Sequence, residues 1–263
     1  MNASSALGIV SVAWAPLRRE PRHAAEMVSQ ALLGEILRIE PNAEGSQSQW
    51  VAASTPDGYT GFLTASSFWS CSEEEASDWS VRADGFSLGT SLVPLGESSD
   101  SVPNHAPWGS RIQIDGDAVI LPRGVRILAT DPSAIRQRPD SSASESAMKW
   151  LGTPYLWGGR TEQGADCSGF VQSVYAFHGI GLKRDSRDQF DEGPMVTGPL
   201  AAGDLLYFAW DDEPISHVGL SLGDGRMIHA SETRGCVAID VLGEGGFGRF
   251  LADGHAGTVR PIG

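Results

Sequence analysis

Over the first 70 residues, hydrophobic and polar positions alternate in short runs broken by turn residues. Ile9, Ser11 and Ala13 stand against Val10, Val12 and Trp14, which predicts a strand over Ile9–Ala15 that ends before Pro16 and Pro21. Glu35–Glu40 follows Gly34, and Trp50–Ala53 leads through the turn Pro56-Asp57-Gly58 to Tyr59–Leu63. About five short strands in roughly 60 residues is the size of a small β-barrel. Residues 72–80 are acidic and Ser-rich and read as a joint. A second β-rich stretch spans 81–130, with Trp108-Gly109-Ser110, Arg111–Ile114, Ala118–Leu121 and Val125–Ala129 as strand candidates. Pro132 to Ser146 is polar and reads as a linker that runs into a helix start.

Beyond that linker the period changes. Ala147–Leu151 closes a short helix at Gly152. Phe170, Val174 and Phe177 recur at helical spacing and predict a helix over 168–178 that stops at Gly179. Strands are expected at Asp204–Ala209, His217–Leu222 and Arg226–Ser231, the last two joined by Gly223-Asp224-Gly225. The expected class is α+β with three domains, at 1–70, 75–135 and 140–263.

Composition narrows the function classes. The 263 residues carry a formal charge of −14, which repels phosphate backbones and argues against a nucleic-acid partner. Hydrophobic residues at 41% and charged residues at 20% exclude wholesale disorder. No apolar run approaches the roughly 18 residues of a membrane span. Residues 6–15 resemble a short signal h-region ending in Ala13-Trp14-Ala15, but no Lys or Arg precedes them, and the alternation favours a strand. The three cysteines, Cys71, Cys167 and Cys236, form no C-x-x-C pair and no disulfide framework, in keeping with a reducing compartment.

One cysteine has a suggestive setting. Cys167, in Gly-Ala-Asp-Cys-Ser-Gly-Phe, falls in the first turn of the 168–178 helix. Unpaired N–H groups and the helix dipole favour a thiolate there, and they also favour an oxyanion on an attacked carbonyl. Asp166 is placed to cap the helix. Cys71 and Cys236 lie in ordinary contexts and read as small buried residues. His23, His105, His178 and His255 likewise read as satisfied residues.

His217 and His229 lie on adjacent strands. A two-residue Asp224-Gly225 turn pairs Gly223 with Arg226 and puts the imidazoles on opposite faces. A three-residue loop pairs Leu222 with Arg226 and sets His229 across from Gly219, diagonal to His217 on the same face. An odd loop is therefore expected if the two histidines cooperate, with Gly219 leaving room for one ring to lean toward the other. A Cys, a base His and a third orienting residue is the logic of thiol acyl transfer. Zinc ligation by Cys167, His217 and His229 is the competing arrangement, with no carboxylate at H-x-x-x-H spacing behind it.

Several motifs taken together resemble a known family. Gly152-Thr153-Pro154-Tyr155-Leu156-Trp157-Gly158-Gly159, Asp166-Cys167-Ser168-Gly169-Phe170, Gly203-Asp204-Leu205, His217-Val218-Gly219 and His229-Ala230-Ser231 resemble, in order over 145–240, the NlpC/P60 cysteine peptidases. The resemblance implies a papain-like α+β core, with Cys167 as nucleophile, His217 as general base and His229 as its orienting group. It implies no metal and no cofactor.

The segments Ala24–Glu35 and Asp57-Gly58-Tyr59-Thr60-Gly61-Phe62 are similar to the first bacterial SH3 module of the γ-D-glutamyl-L-diamino acid endopeptidases of dipeptidyl-peptidase VI type, with Phe62 where Trp is usual. The second module, at 81–130, matches more weakly. That group implies two SH3-like barrels and cleavage of murein stem peptides with a free L-Ala amine; cytoplasmic recycling with no membrane partner is expected, the oligomeric state being unknown and a monomer assumed. Asp166 would meet the amine, joined by Glu26 and Tyr59 of the first module. Tyr155 and Trp157 would wall the site, Ser168 would donate or accept beside Cys167, and Arg184-Asp185-Ser186 would hold the D-Glu carboxylate. An exported hydrolase of intact wall, with the modules as anchors, is the alternative, and a non-catalytic binding module stands behind it. The net charge of −14 argues against adhesion to an anionic wall.

Overall fold

The computed structural model describes residues 6–40, 49–95, 102–116, 118–137 and 139–262. The chain divides into two compact units, Met1–Arg138 and Pro139–Gly263. Among the described residues, no helix is long and apolar enough to cross a membrane.

Among the described residues, the first unit holds two seven-stranded antiparallel sheets. In the first sheet, Val10, Leu17, Leu37, Val51 and Leu63 close the core. The expected single strand over Ile9–Ala15 is two, Ala6–Val10 and Trp14–Arg18. The chain bends between them because Ala6–Val10 pairs with Ile36–Ile39 whereas Trp14–Arg18 pairs with Met27–Leu32. Met27–Leu32 itself escapes the alternation rule, since Ser29 and Gln30 are buried with the apolar residues around them.

The acidic stretch expected as a joint is a helix, Glu73–Arg82. Its start is a capping box: Glu75 N–H donates to the Ser72 hydroxyl, and Ser72 N–H donates to the Glu75 carboxylate. Trp79 on this helix is buried and donates its indole N–H to the Gly34 carbonyl at 2.8 Å. In the second sheet, Leu92, Ile112, Val119, Leu121 and Ile127 form the core. Trp108-Gly109-Ser110 is a turn rather than a strand, with Gly109 at φ +89°, a left-handed conformation that favours glycine.

The second unit begins with α1 (Ala143–Met148), capped by Ser142 and Glu145 in a second capping box. A two-stranded hairpin, β1 (Arg160–Thr161) with β2 (Gly164–Ala165), leads into α2 (Cys167–Phe177) and then α3 (Ser186–Phe190). An antiparallel sheet follows from β3 (Leu205–Phe208), β4 (His217–Gly223), β5 (Arg226–Ser231) and β6 (Cys236–Val241), then α4 (Gly245–Gly254) and β7 (His255–Val259). Its order is β6-β5-β4-β3-β7, with α2 packed on β4 and β5.

The β4–β5 connection decides which residues share a face. The turn is the two-residue one, with Asp224 and Gly225 at φ +53° and +75° and Gly223 paired with Arg226. Taken alone, it would part the histidines. Between the pairs Ser221–Met227 and Gly223–Arg226, however, β4 carries one residue more than β5, Leu222. This bulge supplies the odd residue that the loop lacks and restores the register Leu220–Ile228. One step further sets His229 opposite Gly219, diagonal to His217 on the same face. The expected odd loop is thus corrected to an even loop plus a bulge. The space over Gly219 is not left for an imidazole: a Cβ there would overlap the Met227 thioether.

Candidate active site

Cys167 is the first residue of α2, and Asp166 is its N-cap. The Asp166 carboxylate accepts from Gly169 N–H at 2.7 Å, from Gly158 N–H at 2.8 Å and from the two Arg184 Nη atoms at 3.0 and 2.6 Å. Both partners of the ion pair are buried, so the guanidinium compensates a carboxylate that desolvation would otherwise penalise. Arg184 also donates to Ser168 Oγ at 2.9 Å. One clamp therefore fixes the start of α2, the Gly158-Gly159 turn and the residue beside the thiol. Gly169 completes it by close approach: a Cβ there would meet the Gly159 carbonyl, with Asp166 Oδ1 3.0 Å away.

The sulfur lies beside β4, because the backbone N–H groups of Val218 and Ser168 reach it. Burial and the Asp166 charge push the Cys167 thiol up to about 12, against those N–H groups and Arg184. Burial, with His229 alongside, pushes His217 down to about 3. The resting pair is thus neutral thiol and neutral imidazole, not the standing thiolate expected from the helix N-terminus. The N-terminal N–H groups, outweighed at rest by burial, also serve charge that develops during reaction.

The rings form a chain. His217 Nε2 and His229 Nδ1 are 2.7 Å apart, and His229 Nε2 lies 3.1 Å from Asp240 Oδ2. Arg234 Nη2 donates to the other Asp240 oxygen at 2.5 Å. Burial alone would raise the Asp240 carboxyl, but hydrogen bonds from Arg234 and His229 outweigh it and hold it below its ordinary value. The facing nitrogens of both histidines are thus engaged with each other or with Asp240, and among the described residues no group of His, Cys, Asp and Glu is arranged to hold a metal.

Cys167, His217 and His229 line a cleft of about 350 Å³. Tyr155 and Trp157 stand on its wall with Trp210, Phe247 and Phe250. Trp210 and Phe250 stack 4.8 Å apart and 5° from parallel. Burial, with Cys167 nearby, raises the Tyr155 phenol above its ordinary value, so its O–H remains available as a donor at neutral pH.

A model of the NlpC/P60 family matches residues 152–253, and a model of the bacterial dipeptidyl-peptidase SH3 domain matches residues 17–68. The second unit carries an NlpC/P60 domain. The chain is 43% identical over 98 residues to a γ-D-glutamyl-L-lysine dipeptidyl-peptidase of Bacillus subtilis, covering 36% of this chain and 33% of that protein. A γ-D-glutamyl-L-lysine dipeptidyl-peptidase of Bacillus cereus is 35% identical over 140 residues, 49% of this chain and 42% of its own. The chain thus spans less than half the length of these curated relatives. The crystal structure of an NlpC/P60 family protein from Bacillus cereus superposes with a TM-score of 0.81 at 22% identity, over 98% of this chain and 100% of that one. At that identity the likeness speaks for the fold.

Within the NlpC/P60 domain, Cys167, His217, His229, Tyr155 and Trp157 meet at the cleft. Asp166, Ser168 and Arg184 lie behind it as a buried network, so Arg184, 2% exposed, is no surface ion pair. Asp185 is the N-cap of α3, and Ser186, its first residue, is buried. In the first unit, Glu26 pairs with Arg19 at 2.6 Å on the surface, and Tyr59 packs partly buried on the first core. Sequence reading missed Asp240, Arg234 and, of the aromatic wall, Trp210, Phe247 and Phe250. Phe247 and Phe250 had a signal, two aromatics one helical turn apart after Gly245-Gly246. Asp240 had none until the register was known: it lies two residues beyond Ala238, the residue paired with His229.

Proposed function

We propose that this protein is a cysteine peptidase that hydrolyses the γ-D-glutamyl-L-diamino acid bond of murein stem peptides with a free L-Ala amine. The observation that carries the reading is Cys167 at a helix N-terminus, in one cleft with His217 and its hydrogen-bonded partner His229. His217 takes the thiol proton as sulfur attacks the carbonyl carbon. The N–H groups at the start of α2 and the Tyr155 hydroxyl stabilise the oxyanion. His217 then protonates the leaving amine, and water, deprotonated by the same imidazole, releases the acyl group.

The relatives' names favour a diamino acid such as lysine on the leaving side. Glu26, Tyr59, Asp166, Arg184, Asp185 and Ser186 enter as substrate-binding residues by the resemblance of their segments. Action in the cytoplasm, with a monomer assumed, completes the proposal.

The test measures kcat/KM for L-Ala-γ-D-Glu-L-Lys, for its N-acetyl form and for intact sacculi. The proposal expects release of L-Ala-γ-D-Glu, with the acetylated tripeptide poorer by about 100-fold or more, because acetylation removes the ammonium charge and adds bulk at the amine. Glu26→Gln should narrow that gap. Equal rates for free and blocked substrates, or release from sacculi, would assign the chain to wall lysis instead.

A further inference from the structure

We propose that Asp240, held by Arg234, is a positioning residue that fixes which nitrogen carries the proton on both cleft histidines, and so which atom of His217 serves as base. The inference rests on the cysteine-peptidase reading above. Both imidazoles are buried beside one another, and burial disfavours the cationic form of each. A neutral imidazole has one donor and one acceptor nitrogen. Two such rings in contact have two self-consistent arrangements. In one, both rings are protonated on Nε2, and in the other both on Nδ1.

Asp240 removes that degeneracy. A carboxylate only accepts, so His229 Nε2, 3.1 Å away, carries its hydrogen. His229 Nδ1 is then bare and accepts from His217 Nε2–H at 2.7 Å. His217 Nδ1 is left as the basic atom, on the residue next to the Val218 N–H that reaches the Cys167 sulfur. The reverse arrangement leaves Nδ1–H on His217, which cannot take the thiol proton.

The two acceptor-bearing members, His229 and Asp240, are buried. His229 is 0% exposed and Asp240 7%. On the paired strands β5 and β6, Asp240 sits diagonal to His229, within reach on the same face. Arg234, in the loop between those strands, holds Asp240 at 2.5 Å while its guanidinium lies 5.1 Å over the Phe247 ring on the cleft wall. Other charged or titratable groups near the chain are Cys167 on α2, Asp166 and Arg184 behind it, and Tyr155 and Glu232 on the cleft. Among the described residues around His229, Asp240 is an acceptor-only group within hydrogen-bond distance of its ring.

Asp240→Asn inverts the order. Arg234 retains the amide oxygen, and the NH2 group then faces His229 Nε2, which must accept. His229 becomes protonated on Nδ1, and so does His217, which leaves its Nδ1 without a lone pair for a proton. In a Ser–His–Asp triad, where the carboxylate touches the base directly, this isosteric exchange costs about 10⁴ in kcat. One ring further away, a loss of about 100-fold in kcat is expected, with KM within about twofold. Removing a negative charge should also move both limbs of the pH–rate profile to lower pH.

The deciding measurement is ¹⁵N–¹H NMR of the imidazoles in the full chain. Wild type should show His217 and His229 both protonated on Nε2, Asp240→Glu the same, and Asp240→Asn both on Nδ1. A wild type with Nδ1–H on either histidine overturns the proposal whether or not any variant folds. So does an Asp240→Asn protein that loses activity with its tautomers and pH limbs unmoved, for then Asp240 is only structural. The NMR readout needs no substrate, so the tautomer switch in a protein that never cleaves the tripeptide would refute the peptidase reading and leave this inference standing.

Discussion

Gly169→Ala pits helix propensity against close approach. In an ordinary helix the exchange stabilises by about 1 kcal/mol, because glycine loses more backbone entropy on folding. Here α2 starts against the Gly159 carbonyl, and the new methyl would overlap that oxygen while pressing on Asp166 Oδ1 at 3.0 Å and Arg160 Cβ at 3.2 Å. The Gly159 oxygen is backbone and cannot rotate away, so the helix start or the Gly158-Gly159 turn must shift. Overpacking of this kind costs about 1–3 kcal/mol, which cancels or exceeds the propensity gain. A net loss of about 1 kcal/mol, at a urea slope of about 2 kcal/mol per M, lowers the midpoint by roughly 0.5 M. The catalytic effect should be larger, since a shift near 1 Å at Cys167 misplaces the sulfur and costs on the order of 100-fold in kcat. Steady-state kinetics and the urea concentration that halves activity would be measured on the full chain. A Gly169→Ala protein that is more stable and equally active would refute the clamp.

Two further outcomes are expected. Cys167→Ser should fold with an unchanged melting temperature and lose nearly all turnover, as should His217→Ala, because the neutral resting pair leaves His217 as the acceptor of the thiol proton; kcat for both variants checks it. Asp204 is buried, which would raise its carboxyl, but the two-pronged contact from Arg260 at 2.7 and 2.9 Å and the Ala201 N–H hold it below its ordinary value. A depressed folded pKa contributes stability that is present above the unfolded value near 4 and is lost as pH falls below it. Asp204→Asn should therefore lower the melting temperature at pH 7 and flatten its decline between about pH 4 and 2, whereas parallel curves for the two proteins would exclude the linkage.

Much of the second unit was written locally in the chain. Asp166, Cys167 and the Phe170, Val174, Phe177 spacing specify a capped helix whose first residue is the thiol, and hydrogen bonds within one turn carry out that instruction. His217 and His229 were likewise readable as members of adjacent strands. In the first unit the alternating strands were legible where one face is wet, but Met27–Leu32, buried with Ser29 and Gln30, was not. The helix at Glu73–Arg82 was signalled by Ser72 and Glu75, although its composition resembled a linker.

What only tertiary structure decided is long-range register. A single extra residue at Leu222 places both imidazoles on one face, and pairing with β6 then brings Asp240 to the second ring. Side chains on a strand change face with every residue, so a one-residue bulge reverses which groups meet, and no local propensity encodes it. The thiol's protonation was decided the same way. The helix N-terminus visible in the sequence favours an anion, but desolvation by the packed strands around Cys167 is the larger effect, and that depends on what the fold lays over the sulfur.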